Sequence, residues 1–331
     1  MNFDPLSDVL RAIRLREAVF FDVEANAPWV AEAPPAQIVG PGILPDVDHV
    51  MSYHVLTSGQ CWASLLDDSA EPILLSAGDA VAFPQGDAHV ISSSPGMRSD
   101  PVLDNFRPPD VPNSLPVSFK LDGGGADRGH LICGFLGCDA RPFNPLLSAL
   151  PRMMHMRGDK NGGWIDRFMK FATMETAEKR VGGASILVKL GEIMFIDLVR
   201  NYLANLPENS TSWLAGLKDR HIGRAVSLLH QSPADDWTLE RLAKEVGLSR
   251  SSLAERFQRH VGHPPMQYLA LWRMQIASAK LTDGNTPIVK IAGEVGYGSE
   301  MAFSRAFKRA VGMSPSLWRE RRAAPPPAVA G

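Results

Sequence analysis

Two short stretches in the C-terminal third of the sequence carry charged side chains directly after a serine. Arg250 follows Ser249, and Glu300 follows Ser299. An arginine can donate two hydrogen bonds to O6 and N7 of guanine, and a glutamate can accept one from N4 of cytosine. Cations on later turns could neutralise phosphates, which orient a protein on duplex DNA. The candidate contacts are Arg250, Ser251, Ser252, Glu255, Arg256, Arg259, Ser299, Glu300, Met301, Arg305, Lys308 and Arg309.

These side chains need helices to hold them, and the sequence supplies one pattern twice. Residues 238–246 and 287–295 have helical apolar spacing, and each run ends at a glycine, Gly247 or Gly296. Glycine adopts the left-handed conformation that stops a helix at little steric cost. The serine that follows suits the N-cap of a second helix. Together these features are typical of a helix-turn-helix motif, whose second helix enters the DNA major groove.

The two motifs are in register along one apolar stripe. Positions that correspond pairwise are Leu242 with Ile291, Ala243 with Ala292, Val246 with Val295, Leu253 with Phe303, Phe257 with Phe307 and Val261 with Val311. Spacing of this kind predicts a buried helix face, so we expect the aromatic residues to pack in a core rather than stack on bases. Good helix formers over residues 266–281 predict a helix that links the motifs.

The second motif resembles the DNA-binding domain of AraC/XylS transcriptional regulators. The residues that carry the resemblance are Ile291-Ala292, Gly296-Tyr297, Phe303-Ser304-Arg305-Ala306-Phe307-Lys308, Gly312, Ser314-Pro315 and Trp318-Arg319. The tandem arrangement extends the resemblance over residues 219–322. It implies a monomeric module that places two recognition helices in successive major grooves, with double-stranded promoter DNA as a partner and RNA polymerase as a possible one.

Charge is distributed unevenly along the chain. The formal net charge is −2, yet residues 220–322 hold 16 Lys and Arg against 9 Asp and Glu, and the remainder holds 18 against 27. A basic C-terminal module supplies the field that attracts DNA, and the acidic remainder is not expected to bind it.

Three features of the sequence predict a cytoplasmic, nucleoid-associated protein. The chain has no run of about 20 apolar residues that would suit a membrane span. Its start, Met1-Asn-Phe-Asp-Pro, lacks the basic and then apolar order of a signal peptide. Three cysteines cannot build a full disulfide framework, which suits a reducing compartment.

The N-terminal part reads as β-rich. After a predicted amphipathic helix at residues 5–17, short runs broken by Gly, Pro and Asp continue to about residue 135. The runs with strand length and spacing are 49–56, 60–66, 72–76, 80–83 and 89–92. Such a series favours a sandwich or barrel. Residues 94–116, rich in proline and charge, read as a surface loop.

A second resemblance sharpens this prediction. Gly78-Asp79, Pro84, Gly86 and His89 have the order of the second motif of cupin barrels. Cys133-Gly134 followed by Pro142-Phe-Asn-Pro-Leu-Leu-Ser-Ala-Leu-Pro151 looks like a subgroup of AraC regulators with cupin-type domains. The predicted fold class is α+β, with an N-terminal cupin-like β-barrel, a helical extension and a C-terminal all-α double helix-turn-helix domain.

Helical patterns complete the predicted domain organisation. We expect helices at residues 144–154, 164–180 and 183–205, and in the resembling family such helices mediate dimer contacts, which implies a homodimer. The predicted domains are a cupin-like sensor and dimerisation domain at 1–205, a linker at 206–219, a DNA-binding domain at 220–322 and a disordered tail at 323–331.

The expected function is sequence-specific transcription regulation, modulated by a small-molecule effector or an oxidant at the N-terminal domain. Candidate effector or redox residues are His54, His89, Cys133 and Cys138. The sequence has no His-x-His motif, so it predicts no metal site and no cofactor, and the chain is not expected to be an enzyme. The alternatives are a metal-dependent cupin enzyme fused to a DNA-binding module and a DNA-bound scaffold without an effector.

Overall fold

The computed structural model describes residues 4–13, 15–44, 47–102, 117–140, 142–158, 171, 174–175 and 181–323. The predicted helix at 164–180 lies almost wholly outside these residues, as do most of the predicted loop at 94–116 and residues 324–331 of the predicted tail. In chain order the elements are α1 (Pro5–Ile13), β1 (Arg16–Asn26), β2 (Val30–Ala33), α2 (Ala36–Ile43), β3 (His49–Ser58), β4 (Gln60–Leu65), β5 (Ile73–Ser76), β6 (Ala80–Phe83), β7 (His89–Ser92), β8 (Val117–Asp122), β9 (Arg128–Cys138), α3 (Pro145–Ala149), β10 (Met154–Met156), α4 (Gly183–Asn205), α5 (Trp213–Lys218), α6 (Arg220–Gln231), α7 (Leu239–Val246), α8 (Arg250–Val261), α9 (Pro265–Thr282), α10 (Ile288–Glu294), α11 (Glu300–Val311) and α12 (Pro315–Ala323).

Contacts divide the chain into two compact units. The sheet unit contains residues 15–138 and 150–205, and the helical unit contains residues 1–14, 139–149 and 206–331. The sequence-based boundaries placed everything before residue 206 in one domain. The division by contacts differs because two short segments from that part pack with the helices of the C-terminal part.

The sheet unit contains two sheets. Six strands have the order β10-β6-β3-β9-β1-β8, and four have the order β2-β7-β4-β5. Every pair is antiparallel except β1 with β8. Apolar side chains from both sheets share one core, including Leu56 and Phe83 from the larger sheet and Cys61 and Ile91 from the smaller. The α+β class is confirmed. Within the described residues no strand pairing closes the two sheets into one barrel, so the arrangement is an open sandwich of two sheets.

Several predicted elements have different ends in the structure. The helix predicted at 5–17 ends at Ile13, because β1 begins at Arg16 and pairs with β9. The helix predicted at 144–154 ends at Ala149, and Met154–Met156 is a strand paired with β6. Pro151 cannot donate an interior helix hydrogen bond, which explains the break. The five predicted strands and the helix Gly183–Asn205 are confirmed, the strands within two residues at each end.

The helical unit is built on the buried stripe that the sequence predicted. Phe257, Phe303 and Phe307 have no exposed surface, and Trp272 and Trp318 are 2% and 5% exposed. These aromatic side chains are core residues, as expected. The predicted linker includes α5, whose buried Trp213 donates from Nε1 to the Tyr268 hydroxyl at 3.0 Å. Residues 213–218 of the predicted linker are therefore part of the packed helical unit.

One buried glutamine ties the two N-terminal segments to the helical unit. Gln275 on α9 has no exposed surface. Its Nε2 donates to the Ala12 carbonyl at 3.2 Å, and its Oε1 accepts from the Phe143 amide at 3.0 Å. The apolar face of α1 is buried at Leu6, Val9 and Ile13. None of the described helices has the length and apolar character needed to cross a membrane.

Candidate nucleic-acid interface and ligand cavity

In the first motif each helix begins at a side-chain cap, and a glycine turn joins the two helices. Thr238 Oγ1 accepts from the Arg241 amide at 3.1 Å to begin α7, and Gly247 ends it with a φ of +72°. Ser249 Oγ then accepts from the Ser252 amide at 3.2 Å to begin α8. Each cap satisfies an amide that the first helical turn leaves without an internal partner.

The second motif repeats the glycine turn and the serine cap, with one extra residue in the turn, but its first helix begins after Pro287 without a side-chain cap. Gly296 has a φ of +83°, and a Cβ there would lie 2.7 Å from the Ala234 carbonyl oxygen. Only glycine fits that backbone position without a shift. Ser299 Oγ accepts from the Ala302 amide at 3.2 Å and caps α11. Both predicted serine caps are therefore formed.

The two second helices present equivalent surfaces to solvent. Burial along α8 matches burial along α11 at each position from the cap to the third turn. The apolar stripe is buried, whereas the apolar side chain of Met301 is 70% exposed. The exposed pairs are Ser249 with Ser299, Arg250 with Glu300, Ser251 with Met301, Glu255 with Arg305, Gln258 with Lys308 and Arg259 with Arg309.

Three of the candidate side chains form ion pairs within the protein. Arg256 is half-buried, and its guanidinium donates to Asp219 Oδ2 at 2.6 Å. Ser252, like its counterpart Ala302, is also half-buried. Glu255 forms an exposed ion pair with Arg259 at 2.7 Å. The structure thus places Arg256 away from the exposed row.

The remaining charged candidates have open side chains. Among the described residues, Arg250, Glu300, Arg305 and Lys308 form no ion pair. Gln258 was missed by sequence reasoning, although its register with Lys308 could have identified it; it donates from Nε2 to the Gly262 carbonyl at 2.8 Å. An exposed, unpaired charge on a helix is free to meet a partner in a groove.

A cavity of about 120 Å³ lies in the sheet unit and is lined by strands of both sheets. Its wall is mostly apolar and includes Phe21, Phe119 and Phe135. The Phe21 ring stands edge-on to Phe135, with centroids 5.9 Å apart. Three of the four effector candidates line this cavity, namely His54, His89 and Cys133. Cys138 does not line it.

The two histidines form a hydrogen-bonded pair in which His89 is buried and His54 is half-buried, and the proton position on His89 determines that on His54. His89 Nδ1 lies 2.8 Å from the Asp87 carbonyl oxygen, so it carries a proton and donates. His89 Nε2 is then the acceptor for His54 Nε2 at 2.8 Å. That tautomer leaves His54 Nδ1 as an acceptor, and this buried atom has no partner among the described residues.

Burial keeps both rings neutral. Desolvation, with His89 as the second cause, lowers the pKa of His54 well below its usual value. Desolvation also lowers the pKa of His89 to about 4, against a weaker opposing effect of Asp87. At neutral pH the cavity therefore offers neutral imidazole groups, which can exchange hydrogen bonds with an uncharged ligand.

Two of the three cysteines, Cys133 and Cys138, lie on the same strand but too far apart to form a disulfide. Cys133 and Cys138 lie five positions apart on β9, so their side chains face opposite sides of the sheet and their Cα atoms are about 16 Å apart. A disulfide needs about 7 Å or less. Cys61 packs in the same core cluster as Cys133, a contact that the spacing of the cysteines did not indicate. Burial raises the pKa of Cys61 to about 12 and that of Cys133 above its usual range.

Within the part of the chain that the structure describes, no group of three or more His, Cys, Asp or Glu side chains is arranged to hold a metal ion. His54 and His89 are the two nitrogen donors that the fold brings together. The alternative of a metal-dependent cupin enzyme would need at least one further ligand near this pair.

Comparisons with known proteins agree with both parts of the structure. A cupin family model matches residues 4–204, and a helix-turn-helix domain model matches residues 242–321. A putative AraC-like transcription regulator from Streptomyces lividans is 30% identical over 97% of this chain and 100% of its own length. The transcriptional regulator AlkR of Acinetobacter baylyi is 28% identical over 96% and 99%, respectively. The RCS-specific transcriptional activator RclR of Escherichia coli is 27% identical over 82% and 85%. With a cupin domain followed by a DNA-binding helix-turn-helix domain, the chain belongs to the family of AraC-like transcription regulators.

Proposed function

We propose that the chain regulates transcription by placing α8 and α11 in successive major grooves of promoter DNA, and that a small apolar molecule in the cavity modulates this binding. The observation that carries the DNA-reading part is the matched exposure of the two helices. Arg250, Glu255, Glu300 and Arg305 occupy the positions that reach base edges when the N-terminal turns of a recognition helix enter a groove.

The second part of the DNA interface positions the protein without reading sequence. Arg259, Lys308 and Arg309 are exposed one to two turns after the base-reading positions. Cations there would neutralise phosphates, so their loss should weaken binding to all sequences and flatten its dependence on salt. Arg256 would contribute indirectly, since its pair with Asp219 fixes α8 against the cap of α6.

Selection of bound sequences from a random oligonucleotide pool tests the DNA part. The wild-type chain should select a motif that spans two successive grooves, and Arg305→Ala should relax one half of it. Arg128→Ala, an exposed position on β9, is the matched control and should leave the motif unchanged. Binding of all sequences with equal affinity would contradict the proposal.

The chemistry of the cavity indicates the class of effector. Three phenylalanine rings suit an apolar molecule, and an engineered apolar cavity of about 150 Å³ is large enough for benzene. His54 Nδ1 offers one buried acceptor beside this apolar wall. A molecule about the size of a single ring with one O–H or N–H donor would fill the cavity and satisfy that atom.

Phenol and toluene are suitable probes because they differ by the donor group. Phenol should raise the melting temperature of the protein more than toluene does at equal concentration. His54→Phe removes the acceptor and should abolish the difference between the two probes. No shift with either probe would contradict the apolar effector site and favour a scaffold without an effector.

An oxidant is the second candidate signal, and two observations bear on it. Cys61 and Cys133 share one core cluster, and one relative is named for specificity towards RCS. Their raised pKa values oppose it, because the protonated thiol is a poor nucleophile. An oxidant that changes DNA binding of the wild type but not of Cys133→Ser would favour this signal over the apolar effector.

The chain is also proposed to act as a homodimer and to engage RNA polymerase at the promoter. Ile193 on α4 is 49% exposed, so its side chain is open to contact with a second copy. Sedimentation of the wild type and of Ile193→Lys would test the dimer, since a buried lysine should favour the monomer. Transcription in vitro with purified polymerase would test the second contact.

A further inference from the structure

The two recognition helices carry opposite charges at equivalent positions. The first helical residue is Arg250 in α8 and Glu300 in α11. Five residues later the order is reversed, with Glu255 in α8 and Arg305 in α11. All four side chains are exposed. At these two positions the charge of one helix is therefore the inverse of the charge of the other.

The equivalence of these positions follows from contacts and does not depend on alignment alone. Each helix starts at a serine that accepts a hydrogen bond from the third residue after it, at 3.2 Å in both cases. Each buries its fourth and eighth residues completely, Leu253 and Phe257 in α8 and Phe303 and Phe307 in α11. With the same start and the same buried face, the two helices point the same positions outward.

We infer that the two half-sites of the operator have inverted preferences at the two contacted base positions. This inference rests on the proposed function. Guanine should stand where α8 places Arg250 and cytosine where α11 places Glu300. Cytosine should stand under Glu255 and guanine under Arg305. Arginine donates to O6 and N7 of guanine, and glutamate accepts from N4 of cytosine, so exchanging the charge exchanges the preferred base.

The third exposed position differs in polarity and not in charge. Ser251 in α8 corresponds to Met301 in α11, and Met301 is 70% exposed. An apolar side chain in the major groove contacts the methyl group of thymine, whereas a serine hydroxyl can bond to several bases. The half-site read by α11 therefore has thymine next to its glutamate contact, and the other half-site is less restricted there.

Glu255 differs from Arg305 in one respect that affects the strength of readout. Its carboxylate is paired with Arg259 at 2.7 Å, whereas Arg305 has no ion pair among the described residues. An exposed pair of this kind is weak, so DNA can compete for the carboxylate. We expect the cytosine preference under Glu255 to be weaker than the guanine preference under Arg305.

Helix stability offers a different reason for Glu300, and the experiment must separate the two. A glutamate in the first turn is favoured by the helix dipole whether or not it touches DNA. The bases selected at this position distinguish the two roles. If Glu300 only stabilises the helix, its replacement changes the stability of the fold and leaves the selected bases unchanged. Glu300→Gln keeps the shape of the side chain and removes its charge.

The decisive variant exchanges the charges within α8: Arg250→Glu with Glu255→Arg in one chain. Sequences selected by this full-length variant should show the α11 pattern at those two positions in both half-sites. Affinity for the wild-type operator should fall about tenfold to a hundredfold for each lost contact. Glu300→Gln should relax the cytosine position in its half-site. Circular dichroism melts would show that each variant is folded.

Four outcomes test the inference. Inverted half-sites that become alike in the exchange variant support the inference. Half-sites that share the same bases at these positions in the wild type overturn the inference and leave the proposed function intact. An exchange variant that loses affinity while its base preference stays unchanged has the same meaning. A wild type that selects no motif overturns the proposed function itself and this inference with it.

Discussion

His54 and His89 meet between the two sheets of the sheet unit with their Nε2 atoms 2.8 Å apart. His54 belongs to β3 in the larger sheet and His89 to β7 in the smaller. The His89 ring also stacks on Phe83, with centroids 3.8 Å apart. In these surroundings neither ring readily binds an additional proton, so the stability of the sheet unit depends on pH.

We expect the sheet unit to lose stability as the pH falls from about 6.5 towards 4. The folded pKa of His89 lies at about 4, below the usual 6.5, so the unfolded chain binds more protons across this window. The stabilisation is fully present above pH 6.5 and declines below it. Full loss would amount to on the order of 3 kcal/mol. Urea unfolding from pH 7.5 to 4.5 measures it.

His130 supplies a control of opposite sign. Its Nε2 lies 2.5 Å from Asp22 Oδ1, and this contact, opposed by desolvation, raises the pKa of His130. Its contribution is present below the unfolded pKa and is lost as the pH rises through the folded value. Accordingly, His130→Gln should remove the change in stability above pH 6.5 and leave the decline below pH 6.5 as in the wild type, whereas His89→Gln should flatten that decline. The same slope in both variants would contradict the assignment.

Asp219 combines a helix cap with an ion pair, and two substitutions separate them. It accepts from the His221 and Ile222 amides at 2.9 and 3.0 Å and pairs with Arg256. Asp219→Ala should cost about 1–2 kcal/mol of stability, since it removes both. Asp219→Asn keeps the cap and should cost about 0–1 kcal/mol. Thermal unfolding would show the difference, and equal losses would mean that the cap contributes nothing.

Gln275 is expected to hold α1 and the segment at 142–149 on the helical unit. Gln275→Leu leaves the Ala12 carbonyl and the Phe143 amide without their buried partner, at a cost of about 1–3 kcal/mol. Hydrogen exchange should rise at α1 and near Phe143. Gln231→Leu, at an exposed position on α6, is the control and should leave exchange unchanged. Unaltered exchange in Gln275→Leu would refute the role.

The thiols should react slowly while the protein is folded. A pKa of about 12 for Cys61 reduces its thiolate at pH 8 by about a thousandfold relative to a pKa near 9. Labelling with iodoacetamide, followed by mass spectrometry, should therefore be fast in urea and slow in buffer for Cys61 and Cys133. Rapid native labelling of Cys133 would instead support a redox role.

The sequence alone determined the helical motifs and five of the ten described strands. Gly247, Gly296 and the two serine caps act through local backbone geometry, which depends on a few neighbouring residues. The buried stripe through Phe257, Phe303 and Phe307 follows from helical periodicity. For the same reason the exposed row with Arg250 and Arg305 could be anticipated, since it is the opposite face of those helices.

Only the tertiary structure decided which distant residues meet. Periodicity showed that α1 has an apolar face, but it could not show that the face packs with α6 and α9 in the helical unit. The pairing of His54 with His89 and of Arg256 with Asp219 depends on strands and helices far apart in sequence. The opening of the predicted barrel into two sheets was decided in the same way. Side chains separated by tens of residues are brought together by packing of the whole chain, and local patterns carry no information about that packing.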